Sequence, residues 1–285
     1  MTATQGGSGR PFFEPDMQLD DIVTAIDKGY QSRPREKARS YIGASVIGGL
    51  CDAYLAYSLR GYPDDPPPPR LKRIFDLGHH IEDVVIRDLK AAGLSIIERD
   101  PMTNKQWTYE GFHGHPVCHT DGLVEDKVGD VGILEVKSMN DAKWNEFRNY
   151  GVLVSHPGYY AQMQMMIGMS KIPECLFIAY NKNTSDYWYE IVRFSDFFWR
   201  SQQWRIERLM TDTDVRKVSG DITSFACSGC FKKTVCYGLA QPKVECRSCK
   251  HSVAGTNAGW YCRLHSKDCD QPCPDYEVYE AGPPR

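Results

Sequence analysis

Residues 114–140 read GHPVCHTDGLVEDKVGDVGILEVKSMN, and three of them, Asp121, Glu135 and Lys137, are of types that can do chemistry together. Residues 117–124 and 131–138 are short runs rich in Val, Ile and Leu with a turn-prone segment at 125–130 between them, a pattern that predicts a β-hairpin. Side chains alternate along a strand, so Ile133, Glu135 and Lys137 share one face of the second strand while Leu134 and Val136 turn to the other and can be buried. A carboxylate and an ammonium on an apolar strand are costly unless something binds there. Asp121 and Glu135 offer the hard oxygens that Mg²⁺ or Mn²⁺ takes, and such an ion lowers the pKa of a bound water. The chemistry that fits is attack of that water on a phosphodiester, with Lys137 orienting the water or offsetting charge on the phosphoryl oxygens. Glu125 and Asp130 read as turn residues.

Composition sets the frame for these groups. The chain has 285 residues, 41% hydrophobic, enough for one large domain or a core with a small appendage. No apolar run reaches membrane-spanning length and the start is polar and Gly-rich, so a soluble intracellular protein is expected. With a net charge of −3 the surface is not broadly cationic, and any nucleic acid must be gripped locally. Two basic groups could do so, Arg33, Arg35, Lys37 and Arg39, and Arg200, Arg205, Arg208, Arg216 and Lys217; each reads equally as a solvated face.

The elements that must hold the three residues follow from periodicity. Residues 1–38 read as an arm with a helix around 19–28, and 41–60 as a helix starting at Ser45 with Ile47, Leu50, Cys51, Tyr54, Leu55 and Leu59 at helical spacing. After a Pro-rich loop at 61–70, a helix over 71–92 aligns Gly78, Glu82, Val85, Ile86 and Leu89. Glu82, inside an apolar stripe, needs a cation or a metal. His79 and His80 stand one turn earlier, where surface, capping and ligand roles are all open. A helix over 141–150 and an amphipathic one opened by Pro157 precede strands at 174–181 and 187–194 and a helix over 196–217. The sum is an α/β fold, a mixed sheet of at least four strands flanked by helices.

Eleven cysteines are unusual, and most of them follow residue 226. Without an export signal, closely spaced cysteines favour metal over disulfides. Cys227, Cys230 and Cys236 form C-x2-C-x5-C and need a fourth ligand, because both tetrahedral zinc and a cubane iron cluster take four. A second group, Cys246, Cys249, Cys262, Cys269 and Cys273 with His251 and His265 between, reads as a zinc knuckle. Its preferred ligands are Cys246, Cys249, Cys262 and Cys273, with Cys269 or His265 open in place of Cys273. Cys118 and Cys175 read as core, and His113, His115 and His119 as structural.

An Asp followed by E-x-K on neighbouring strands resembles the PD-(D/E)xK nuclease superfamily and its restriction-endonuclease-like fold. Over residues 40–240 the chain looks like the lambda-exonuclease and RecB-like branch. The resemblance makes Glu82 the helix-borne acidic residue and a third or outer ligand of Mg²⁺ or Mn²⁺ beside Asp121 and Glu135. Segment 159–164, YYAQMQ, is similar to the Y-x-x-Q-x-Q helix of lambda-type exonucleases, which gives Gln162, before Gln164, the role of positioning water or phosphate; Met166 stands where the RecB-type pattern has Tyr. Iron-sulfur members of the superfamily, including CRISPR-adaptation and AddB-type nucleases, join one upstream Cys to three downstream in this spacing. Carried over, Cys51, Cys227, Cys230 and Cys236 would hold a 4Fe-4S cluster, with zinc the alternative. The resemblance implies a metal-dependent exonuclease acting on linear DNA in recombination, repair or phage DNA processing, in a bacterial or phage-infected cytoplasm. It is compatible with oligomers and with a recombination partner such as a single-strand-annealing protein. The expected organisation is an arm (1–38), a nuclease core (39–240) and a cysteine-rich appendage (241–285). A non-catalytic nucleic-acid-binding protein and a site-specific endonuclease are the rival readings.

Overall fold

The computed structural model describes residues 19–34 and 39–284, so Arg35 and Lys37 lie outside the described residues. The chain runs through α1 (Leu19–Gln31), β1 (Ile42–Gly43), α2 (Ala44–Ile47), α3 (Asp52–Leu59) and α4 (Pro69–Ala91). Strands β2 (Ser95–Ile97), β3 (Thr108–Glu110), β4 (Pro116–His119), β5 (Gly122–Glu125) and β6 (Val131–Met139) follow, then helices α5 (Asp141–Ser155) and α6 (Pro157–Ser170). Strands β7 (Glu174–Asn181) and β8 (Tyr187–Arg193) lead into α7 (Asp196–Met210). The cysteine-rich end carries α8 (Lys233–Cys236), β9 (Ser252–Ala254), β10 (Trp260–Cys262) and β11 (Lys267–Asp268).

Five strands make the central sheet in the order β2-β5-β6-β7-β8, antiparallel except for the parallel β6–β7 pair that α5 and α6 connect. The alternation of β6 divides the core. Leu134 and Val136 pack with Ile178 against Ile81, Val85 and Ile86 of α4, whereas Ile133 joins Phe177 and Ala179 in the larger core with α5 and α6. Each such fully buried aliphatic side chain stabilises the fold by about 1.5–3 kcal/mol. The result is the mixed α/β architecture expected. Helix α1 is tied to α4 by Arg73–Asp27 and Arg33–Asp76 ion pairs, and no helix among the described residues is long and apolar enough to cross a membrane.

Four local expectations are corrected. The strand expected over 117–124 is two strands in two sheets: β4 pairs with β1 and β3, β5 with β2 and β6, and the chain switches at Thr120 and Asp121. The helix expected over 41–60 breaks after Ile47, leaving Leu50 92% exposed and Cys51 at the N-cap of α3. The break lies where backbones touch: a Cβ on Gly48 would stand 2.5 Å from Gly158 Cα of α6. Helix α6 is not amphipathic, for every residue from Ala161 to Gly168 is buried. Helix α7 stops at Met210, where Arg208 turns to the carbonyls of Thr213 and Asp214.

Candidate active site

The switch between sheets builds the site. Pairing of β5 with β6 ends at Gly122–Leu134, and the next donor on that edge of β6, the Val136 amide, is taken by Asp121 Oδ2 at 2.7 Å. Asp121 is thereby fixed at the edge that β5 leaves, alongside Glu135. The latter is 1% exposed; its Oε1 accepts from Gln162 Nε2 at 2.7 Å and from Lys137 Nζ, while its Oε2 is buried with no partner. Lys137 also lies 5.4 Å from the ring centroid of Tyr159 on α6. Glu82 comes from α4, which crosses β6 closely enough that a Cβ on Gly78 would meet Ser138 Oγ at 3.9 Å.

These charges act on one another. Burial, and then the charge of Asp121, pushes the Glu82 carboxyl up to about 7, with Lys137 opposing. Burial raises Asp121 and Glu135 as well, against Lys137 in both cases; His79 also favours the Asp121 charge. Burial works against the Lys137 ammonium, but Glu135 and Asp121 outweigh it and hold its pKa above the ordinary range. Three carboxylates thus face one cation, and one buried carboxylate oxygen is orphaned. Hard carboxylate oxygens are the donor type a divalent ion takes, although the ligand atoms of Asp121, Glu135 and Glu82 do not all lie within 4.8 Å of one another here, so side-chain movement would have to accompany binding of an ion.

A pH dependence follows. Carboxyl pKa values raised by folding make a contribution to stability that is full below the ordinary carboxylate range and is lost as pH rises toward about 7, where Glu82 ionises. A divalent ion favours the ionised groups and offsets the loss. Metal-free protein should therefore melt lower near pH 8 than near pH 6, and added Mn²⁺ should raise the melting temperature more at the higher pH (roughly bracketing the ionisation). Equal Mn²⁺ increments at both pH values, unchanged in an Asp121→Asn variant, would contradict this site.

The two glutamines of α6 separate cleanly. Gln162 holds Glu135, whereas Gln164 accepts from the Ser195 amide (2.9 Å) and donates to the Arg193 carbonyl (2.8 Å), bracing the end of β8. Gln162→Ala should lower any metal-dependent cleavage by about 10–100-fold, as loss of a group orienting a metal ligand does; Gln164→Ala should reduce melting temperature with little change in rate per folded molecule. Rate assays on both variants check the pair. The sequence reading missed the part of Tyr159 beneath Lys137, although its place one turn before Gln162 was a signal. His79 and His80 are exposed. His119 meets Thr108 Oγ1 at 2.8 Å, buried His115 donates from Nε2 to the Gly255 carbonyl at 3.0 Å, and the His113 carbonyl accepts from the Ala258 amide, so these three are structural.

The cysteines gather as two groups. Cys51, Cys227, Cys230 and Cys236 line one cavity of about 20 Å³ together with Lys217, Lys232 and Lys233, of which Lys232 is paired with Asp64 at 2.9 Å. Four thiols are the donor type of a tetrathiolate centre, but their sulfurs are not drawn together as a ligand group here, and a cubane requires the lining to give way. Burial raises Cys236 to about 11, opposed by Lys217. Cys246, Cys249, Cys262, Cys269, Cys273 and His265 line a second cavity. Cys118 and Cys175 are core residues.

Several arginines of the two basic groups are taken by ion pairs. Arg33 pairs with Asp76, Arg200 with Asp196, Arg216 with Asp214, and Arg205 and Arg208 both with Asp52. Lys243 and Arg247 pair with Glu245, and Lys250 with Glu277.

No protein-family model matches this chain, and comparison with curated proteins finds no match. Among solved structures it is similar to an alkaline exonuclease (LHK-Exo) from Laribacter hongkongensis, at 17% identity and a TM-score of 0.45 over 61% of this chain and 88% of that one. It is also similar to SSO0001 (9% identity, TM-score 0.43, 79% and 98% covered) and to a phage related exonuclease from Haemophilus somnus 129PT (11%, 0.43, 60% and 92%).

Proposed function

We propose that the protein is a Mg²⁺- or Mn²⁺-dependent exonuclease that hydrolyses linear DNA, of the lambda-exonuclease and RecB-like kind, serving recombination, repair or phage DNA processing. The observation that carries it is the Glu135 carboxylate, one oxygen fixed by Lys137 and Gln162 and the other buried and unpartnered beside Asp121. Asp121, Glu135 and Glu82 would hold the ion, which supplies an acidified water and neutralises phosphate charge. Lys137 presents its ammonium to the attacked phosphoryl oxygen or to the water, and Gln162 keeps Glu135 from turning away. Cys51, Cys227, Cys230 and Cys236 would hold a structural 4Fe-4S cluster, or zinc, closing a core of 39–240 after an arm of 1–38; the 241–285 appendage would hold zinc at Cys246, Cys249, Cys262 and Cys273.

End-labelled linear and closed circular DNA, each with and without Mg²⁺ or Mn²⁺, tests the reading. Nucleotide release from linear DNA alone, only with metal, is expected. Cutting of the circle would make the protein an endonuclease, and DNA binding that survives chelation with no release would make it a non-catalytic binder.

A further inference from the structure

A cation buried without an ion-pair partner raises the question of what balances it. Arg60, at the end of α3, is 2% exposed, and its guanidinium donates into the cysteine-rich end. Nη1 reaches the carbonyls of Arg247 and Cys249 (3.0 Å each) and Ser252 Oγ (3.3 Å), and Nη2 the Ser252 carbonyl (2.9 Å). It stacks 3.7 Å from the ring centroid of Tyr279, the residue whose amide bonds the Ser248 carbonyl at 2.9 Å. Asp212 is near enough to favour the charge, but among the described residues no carboxylate pairs with it. Carbonyl partners satisfy the donors, and beyond Asp212 the charge meets only the rings of Tyr279 and of Trp260, 5.1 Å away, although burying a charge without an ion-pair partner costs several kcal/mol.

The segment that Arg60 grips carries thiols. Cys246 opens a 3-10 turn (Cys246–Ser248) that Cys249 caps, Cys262 ends β10, and Cys269 and Cys273 follow β11; Cys249 and Cys262 are buried. They surround a cleft of about 310 Å³, far larger than one ion. His265 and Cys273 of its lining, with Asp275, have ligand atoms within 4.8 Å of one another, the one such group among the described residues. Residues 246–284 contribute little to the core beyond Tyr279 and Ala281, and a metal held by these thiols would stabilise such a segment. Zinc with four thiolates carries a charge of two minus, and its formation releases the thiol protons to solvent. Cys249, whose carbonyl Arg60 holds, sets that charge beside the guanidinium.

Resting on the zinc reading given above for Cys246, Cys249, Cys262 and Cys273, we propose that Arg60 of the α/β core is the countercharge that seats this site, so that the appendage stays docked only with zinc bound. Arg60 is then a positioning residue outside the ligand set. The inference does not rest on the exonuclease reading, and its test uses neither DNA nor activity.

Full-length protein is analysed for zinc and iron, then subjected to limited proteolysis as purified, after chelation, and after zinc is returned. One equivalent of zinc beyond any at the first cysteine group is expected, with cleavage within 241–285 at least about tenfold faster after chelation and reversed by zinc. Arg60→Met, which keeps length and loses charge, should release zinc to a chelator roughly 10–100-fold faster than the unaltered protein, with Arg60→Lys between them. Cys246→Ser with Cys249→Ser should lose this zinc alone. Protein without that zinc, loss of iron instead of zinc in the double serine variant, proteolysis indifferent to zinc, or wild-type release from Arg60→Met would each overturn the proposal. The proteolysis arm on unaltered protein decides even if Arg60→Met does not fold.

Discussion

Asp121→Asn is expected to leave the fold intact and to lower metal-dependent nucleotide release from linear DNA by on the order of a thousandfold. The prediction depends on separating two jobs of one side chain. One Asp121 oxygen caps the Val136 amide at 2.7 Å where β5 abandons β6, and an asparagine oxygen can accept that bond equally. The negative charge is the other job: together with Glu135 it holds the Lys137 ammonium in its charged form, and on the proposed reading it would draw the metal. Asparagine removes only that. Alanine would also orphan a buried amide, at about 1–3 kcal/mol, so its effect on rate would mix folding with chemistry. End-labelled linear DNA with Mg²⁺ reports the rate, and circular dichroism on heating reports the fold. A variant that melts normally and degrades DNA within a few-fold of the unaltered protein would remove Asp121 from the chemistry.

What could be read from the sequence was whatever alternation or helical spacing fixes locally. Glu135 and Lys137 had to share a face of β6, and Leu134 and Val136 had to face α4, because a strand offers no other arrangement. Glu82 stood out as a charge in the apolar stripe of α4. The switch at Thr120 was hidden, because both halves of 117–124 carry the same strand pattern. What ends one sheet is distant: the Thr120 amide bonds the Trp107 carbonyl at 3.1 Å and the Asp121 amide bonds that of Leu134 at 3.2 Å. The break before α3 was hidden for a similar reason, since the demand on Gly48 comes from Gly158. Charged residues were least legible. Arg205 and Arg208 looked available to phosphates until Asp52 folded against them, and nothing beside Arg60 in the chain indicates that it will be enclosed by the cysteine-rich end. Burial of an ion pair is a property of tertiary contacts, and single-sequence periodicity carries no trace of it.

Cys51→Ala is expected to abolish the first metal centre and to cost far more stability than a half-buried thiol can. Removing the sulfur from an ordinary packed site costs about 1 kcal/mol. A metal centre contributes its binding free energy to folding, on the order of 10 kcal/mol for tetrahedral thiolate sites, and part of that is lost with any one ligand. Cys51 precedes the first turn of α3, and its three companions come from the 227–236 segment, so a metal held by the four would pin two distant parts of the chain around the Tyr54 and Tyr57 side of the cavity. Cys51→Ala should emerge with no iron or sulfide and with a melting temperature lower by about 10 °C or more. Cys175→Ala, which removes a thiol that is buried in the sheet, should lose a few degrees at most and keep its full metal content. Iron, sulfide and zinc analysis of the three proteins reads the outcome. Zinc alone in the unaltered protein, lost in Cys51→Ala, would make the centre a zinc site. Metal content that Cys51→Ala leaves unchanged would break the link between Cys51 and the 227–236 thiols.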